Sequence, residues 1–188
     1  YPQDQRFLDM CDEAGLLVWE ETCGWNNTRD HFTDTRFVDQ QLRQVDAMVN
    51  ASFNHPCVVF WGFLNEGKSA QPESVAVYRA IVERFERLDC SRLVACCNMY
   101  RQETAAEMPY SPVVCYNMYS GWYYGHYDDL GQECDQWIGN ARAMLGEARP
   151  FIVSEFGSEA LYGWRDPFGS QWSENHQAAA IASAWRDR

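Results

Sequence analysis

Residues 57–66 read CVVFWGFLNE, apolar from Cys57 to Leu64 with only Gly62 intervening, then an amide and a carboxylate. A continuous run of this kind, rich in Val, Phe and Trp, predicts a strand with both faces covered. Asn54-His55-Pro56 stands just before it. Pro56 cannot extend a helix and pushes His55 out of the helical region, so the strand has a defined start. Glu66 closes the run, where a charge is costly unless something requires it. Gly67 follows and lets the backbone turn away.

The chain on either side alternates between helical stripes and short apolar runs. Upstream, Val38, Leu42, Val45, Val49 and Phe53 form one helical stripe, with Asp34 placed to cap it. Before that, LLVWEE (16–21) reads as a buried strand, preceded by a helix on Phe7, Leu8, Cys11 and Ala14 that Gly15 stops. Downstream, Tyr78, Ile81, Val82, Phe85 and Leu88 make the next helix, LVACCN (93–98) a strand, and VVCYNMY (113–119) another. Trp137, Ile138, Ala141 and Leu145 form a helix closed by Gly146. FIVSEF (151–156) is the last strand, and Ser173 caps a helix carrying Ile181 and Trp185. Uniformly apolar strands with intervening helices predict parallel β/α architecture. Glu20, Asn65, Glu66, Asn98, Asn117, Tyr119 and Glu155 all fall at strand C-terminal ends, the rim where (β/α)₈ barrels gather their working residues. No glycine-rich phosphate loop follows any strand, which counts against a nucleotide-binding doubly wound sheet. The fold class is therefore α/β, with residues 1–188 forming part of a (β/α)₈ TIM barrel. About five strands do not close such a barrel, and the chain is read as a piece of a larger protein.

Composition narrows the function. The formal net charge of −12 leaves nothing to neutralise phosphates, so nucleic acid and anionic membrane surfaces are excluded as partners. No apolar stretch approaches the roughly 20 residues of a membrane span. No signal peptide opens the chain, although Tyr1 is no initiator methionine. The eight cysteines form no Cys-x-x-Cys pair and have no histidine at zinc-ligand spacing. They are expected to be buried free thiols of a reducing compartment, which places the protein in the cytoplasm. Eight Trp, ten Tyr and ten Phe are ample both for a core and for lining a sugar-binding cleft.

Two glutamates, Glu66 and Glu155, each end an apolar strand and precede a glycine-containing turn. The surrounding sequence resembles glycoside hydrolase family 2. VVFWGFLNEG (58–67) is similar to that family's acid/base strand, the fourth of the barrel, and PFIVSEFG (150–157) to its nucleophile strand, the seventh. YNMYSGWY (116–123) resembles the sixth-strand motif of β-glucuronidase-like members. The opening YPQDQRFLDMCDEAGLLVWEET (1–22), the NHP at 54–56 and WSENHQ (172–177) match as well, in the right order.

The resemblance implies a retaining exo-β-glycosidase that removes terminal β-linked sugars, galactosides or glucuronides, through a covalent glycosyl-enzyme. Under it Glu66 is the general acid/base and Glu155 the nucleophile. Asn65 binds the sugar 2-hydroxyl, Tyr119 donates to Glu155, and Asn117 and Tyr123 line the sugar subsite. Glu20 binds sugar hydroxyls where the family usually has Asp. Trp122 serves equally well as a wall or as a stacking platform. No metal or organic cofactor is expected, since two carboxylates suffice. The partner is the β-glycoside substrate, and the full-length parent is expected to be a homo-oligomer. A β-mannosidase and a non-catalytic carbohydrate-binding barrel are the alternatives. Glu21 and Glu159 lie close enough to the catalytic positions to act as decoys. His31, His55, His126 and His176 lack metal-site spacing, and His55 reads as structural. Ser154 lacks the glycine elbow of a serine hydrolase.

Overall fold

The computed structural model describes residues 1–99 and 111–186. The chain divides into two compact units, Tyr1–Cys115 and Tyr116–Arg188.

The first unit opens with α1 (Gln5–Ala14), capped by the Asp4 carboxylate, which accepts from the Arg6 amide. Gly15 ends it in the left-handed region at φ 69°. The Gly15 and Leu16 amides return to the Asp12 and Cys11 carbonyls, a Schellman closure. That closure uses Leu16 as part of the turn, so β1 starts only at Val18 and runs to Glu21. Leu16 and Leu17, expected inside the strand, are exposed, Leu17 to 76%. A short α2 (Arg29–Thr33), absent from the sequence reading, precedes α3 (Thr35–Ser52), whose first turn Asp34 caps as expected. β2 (Val58–Gly62) follows the Asn-His-Pro break, then α4 (Ser74–Leu88) and β3 (Leu93–Ala95).

The three strands form a parallel sheet in the order β1-β2-β3, with a bulge between Val18 and Trp19. Trp19 pairs with Phe60, Glu20 with Trp61 and Glu21 with Gly62. The core lies between this sheet and the helices: Leu8, Val45, Val49, Trp61, Phe63, Tyr78, Ile81 and Phe85 are fully or almost fully buried. Trp61 stacks on Phe85 of α4, which marks its side of the sheet as the helix side. Phe53, the last member of the α3 stripe, is exposed, because α3 ends at Ser52.

Besides β1, other strands are shorter than the apolar pattern suggests, and the run 113–119 forms a strand only over Val114–Asn117. The run 57–66 leaves the sheet at Gly62, because Leu64 and Glu66 both take positive φ (45° and 53°) that no strand accommodates. The run 93–98 breaks at Cys96 into β3 and a two-residue β4 (Cys97–Asn98).

Continuing from β5 (Val114–Asn117), the second unit holds a 3-10 turn at Tyr127–Asp129, α5 (Leu130–Leu145), β6 (Phe151–Glu155) and α6 (Glu174–Arg186). β5 and β6 are neighbours in a sheet. Tyr116 is buried with its ring edge-on to Trp137 at 4.2 Å and tilted on Phe151. The Ser173 hydroxyl caps α6 by accepting from the His176 amide at 3.1 Å. Ala180, Ser183 and Ala184 are the buried residues of that helix, while Ile181 and Trp185 face outward. Ile181 and Trp185, the residues by which the sequence reading marked this helix, are therefore not the ones it buries. Small residues let α6 lie close, which turns the large ones away.

None of the eight cysteines is joined in a disulfide. Cys11, Cys57, Cys96, Cys97 and Cys115 are buried as expected, but Cys23 and Cys90 are exposed.

Candidate active site

In the first unit the chain after β2 is set by backbone contacts before any side chain is considered. The Glu66 amide donates to the Cys97 carbonyl at 2.9 Å, and the Gly67 amide closes back on the Leu64 carbonyl at 3.2 Å. Leu64 and Glu66, both in the left-handed region, flank Asn65. Such strain persists only where the surroundings impose it, and it clusters at functional sites. Gly67 has a separate cause: a Cβ there would come within 2.3 Å of the Tyr78 hydroxyl. Asn65 forms an isolated parallel bridge with Trp25, and its carbonyl accepts from the Asn26 amide at 3.0 Å. Above this frame the Trp25 indole N–H donates to Glu66 Oε2 at 2.9 Å. Asn98, buried at the end of β4, donates from Nδ2 to Ser69 Oγ at 3.3 Å.

Glu20 and Glu21 separate by strand alternation. Glu20 pairs with Trp61 and so shares the helix side of the sheet, while Glu21 shares the opposite face with Trp19 and Phe60, whose rings meet at 5.2 Å. Glu20 is only 1% exposed; its Oε1 accepts from the Gln3 amide at 3.2 Å and its Oε2 meets no partner among the described residues. The sequence reading gave the sugar contact to Glu20. The two-residue period of β1 instead turns Glu21 to the inner face, and Glu20 anchors the segment before α1.

In the second unit, Glu155 ends β6 and accepts from the Tyr119 hydroxyl through Oε2. This is the pairing expected of Tyr119. The Ser154 hydroxyl donates to Asn117 Oδ1 at 2.8 Å, fixing which end of that amide faces Ser154. Tyr123 is exposed, with its ring edge-on to Tyr119 at 5.1 Å. Trp122 is buried against Trp172, edge-on at 4.6 Å, and its carbonyl accepts from Gln171 Nε2. Trp122 is therefore a wall. The loop before α6 is tied down: Glu174 accepts from the Gly163 amide, Leu161 donates to Trp172, and Gln177 reaches the Ser158 carbonyl.

One group of potential metal ligands comes together among the described residues: Asp12, His55 and Cys57. Hydrogen bonds within the protein account for it. Asp12 bonds His55 Nδ1 at 2.7 Å and the Cys57 amide at 2.7 Å, and His55 Nε2 meets Gln5. Burial, with Asp12 beside it, pushes the Cys57 thiol up to about 11, so it stays protonated and directs its S–H at the Leu8 carbonyl. A protonated thiol is a poor metal ligand. The cluster braces α1 against the entry to β2, the structural role read for His55.

Sequence reasoning passed over Trp25, and it weighed Ser154 only as a nucleophile and not as a donor to Asn117. The signal for Trp25 was a tryptophan set between Gly24 and Asn26 in a loop just past a strand, where no core exists to require it.

Residues 1–187 match the sequence profile of the glycosyl hydrolases family 2 TIM barrel domain. The chain is 26% identical over 187 residues to a β-glucuronidase of Mus musculus, covering 96% of this chain and 28% of that protein. Among solved structures it is similar to a β-galacturonidase of family 2 from Eisenbergiella tayi bound to galacturonate. There the identity is 35% and the TM-score 0.87, over 97% of this chain and 32% of that one. A β-glucuronidase from an uncultured Clostridium shares the fold at TM-score 0.89 and 23% identity, over 100% of this chain and 34% of that one. The chain thus spans about a third or less of these proteins' lengths, and its α/β architecture is part of a TIM barrel, as read from the strand pattern.

Proposed function

This chain belongs to glycosyl hydrolase family 2, and we propose that it supplies both catalytic carboxylates of a retaining exo-β-glycosidase acting on terminal β-linked hexuronic acids. One observation carries the reading: Glu155 closes an apolar strand with its carboxylate held by the Tyr119 hydroxyl. A nucleophile needs such a fixed bearing, because it must present one oxygen to the anomeric carbon.

In the proposed reaction Glu155 attacks the anomeric carbon while Glu66 protonates the departing oxygen. Glu66 then takes a proton from the water that displaces Glu155, and two inversions give net retention. Asn65 binds the sugar 2-hydroxyl, and Asn117 and Tyr123 line the subsite. The uronic acid preference is supported by the galacturonate held in the Eisenbergiella structure and by the glucuronidases to which the chain is similar.

The test uses the full-length protein with aryl β-glucuronides, β-galacturonides and β-galactosides. A uronide should be cleaved, with the β-anomer as first product by proton NMR. Glu155→Ala should abolish turnover. Glu66→Ala should accumulate glycosyl-enzyme from dinitrophenyl uronides and be rescued by azide with a β-glycosyl azide product, since azide takes the place from which water attacks. An α-azide from Glu66→Ala together with a β-azide from Glu155→Ala would exchange the two roles. Cleavage of galactosides alone would replace the uronic acid by a neutral sugar.

A further inference from the structure

Trp25 has no structural reason for its position. The residue is 61% exposed, so burial of apolar area does not hold it there. Its backbone, however, is held from several sides. The Thr22 amide donates to the Gly62 carbonyl, Asn26 to Asn65, and the Lys68 amide returns to the Asn27 carbonyl at 2.8 Å. Gln44 accepts from the Cys23 amide and Gln41 donates to the Cys23 carbonyl, tying the same loop to α3. The loop after β1 is thus bound along the segment that carries Asn65 and Glu66. At its centre the indole Nε1 lies 2.9 Å from Glu66 Oε2.

We propose that Trp25 is a positioning residue for the general acid, its indole N–H holding Glu66 Oε2 so that the transferable proton resides on Oε1. The inference rests on the assignment of Glu66 made above. Its chemistry follows from the donor. An indole N–H donates and never accepts, so the lone pair of Oε2 facing Trp25 cannot also carry a proton. A donor on Oε2 also favours that oxygen as the carbonyl of the neutral acid, which places the proton on Oε1, the oxygen that meets the leaving group. In the first step the bond from Glu155 to the anomeric carbon forms and the glycosidic C–O bond breaks. The bonding pair goes to the leaving oxygen, which receives the Oε1 proton. In the second step Oε1 takes a proton from the attacking water as the bond to Glu155 breaks. Trp25 is unchanged throughout; it fixes the plane of the carboxyl group so that one oxygen serves both steps.

Trp25→Phe keeps the ring and removes the donor. In the full-length protein, kcat/KM is measured for a series of aryl β-uronides, from dinitrophenyl, which leaves without a proton, to phenyl, which needs one. The variant should lose about tenfold on the phenyl glycoside, the worth of a hydrogen bond to a charged group at a partly exposed site. The loss should shrink steadily towards dinitrophenyl, so that the dependence on leaving-group acidity steepens. In a Glu66→Ala background the same substitution should have no further effect on the dinitrophenyl substrate, because the group being positioned is gone. Equal losses across the series, with circular dichroism unchanged, would mean that Trp25 matters only for structure, and no loss would mean that the hydrogen bond is idle. Either result overturns the inference and leaves the glycosidase reading intact. If the unmodified enzyme cleaves no glycoside of the panel, both fall together.

Discussion

Asp89 shows how a single buried carboxylate can set the acid limit of this fold. Its side chain is 1% exposed and accepts from the Trp61 indole, from Ser91 and from Arg92. Burial alone would raise its pKa, but the hydrogen bonds from Ser91 and Arg92 outweigh that and hold it at about 2. Because the folded value is depressed, the stabilisation is complete above the unfolded value of about 4 and is lost as pH falls through about 2. It amounts to about 2 kcal/mol, which urea denaturation between about pH 5 and 2 should resolve. Asp89→Asn should remove that slope and cost about 2 kcal/mol at neutral pH, because the half-buried Arg92 loses its anionic partner and keeps only backbone carbonyls. Asn26 offers a second test at this scale. It is exposed at φ 51°, a conformation that asparagine tolerates and β-branched residues do not. Asn26→Val should destabilise by about 1–2 kcal/mol in thermal melts, and Asn26→Gly should not.

Among the elements, those written by local chemistry are legible in the sequence. Asp34 and Ser173 cap α3 and α6 where their side chains reach back to the first-turn amides, and Gly15 and Gly146 end α1 and α5 in the left-handed region. Asp34→Ala should therefore cost about 1 kcal/mol by chemical denaturation, with α3 otherwise unchanged. Strand ends are another matter. The apolar pattern of 57–66 continues past Gly62 because Phe63 and Leu64 are buried, yet Phe63 packs on Tyr78 and Phe85 of α4 and Leu64 lies beside Gly24, both outside the ladder. Hydrophobicity reports burial, and only backbone angles report where pairing stops. The same limit explains the site. Glu66, Glu155 and the Tyr119 contact could be read from motifs with a fixed chemistry. That Glu20, and not Glu21, shares the helix side with Trp61 depends on the bulge between Val18 and Trp19, which shifts register by one residue and leaves no trace in composition.

At the scale of the whole molecule, apolar surface is left uncovered in each unit. Leu16, Leu17 and Met10 are exposed in the first, and Ile138, Phe156, Ile181 and Trp185 in the second. In the second unit Ile138 and Phe156 border an apolar groove with Leu130, Phe151 and Val153. Patches of this kind are covered in a closed barrel by further strands and helices. Residues 1–188 expressed alone should therefore bind an apolar dye such as ANS, as followed by fluorescence, whereas the full-length protein should bind far less. The thiols give the molecule a clock. A neutral alkylating reagent should modify Cys23 and Cys90 at once, while Cys11, Cys57, Cys96, Cys97 and Cys115 wait for an opening of the fold. Burial also raises Cys115, with Cys97 beside it, so a momentary local opening leaves little thiolate to react. Mass spectrometry of the labelled chain would then count two tags early and the rest in steps, each step timing the release of one part of the interior.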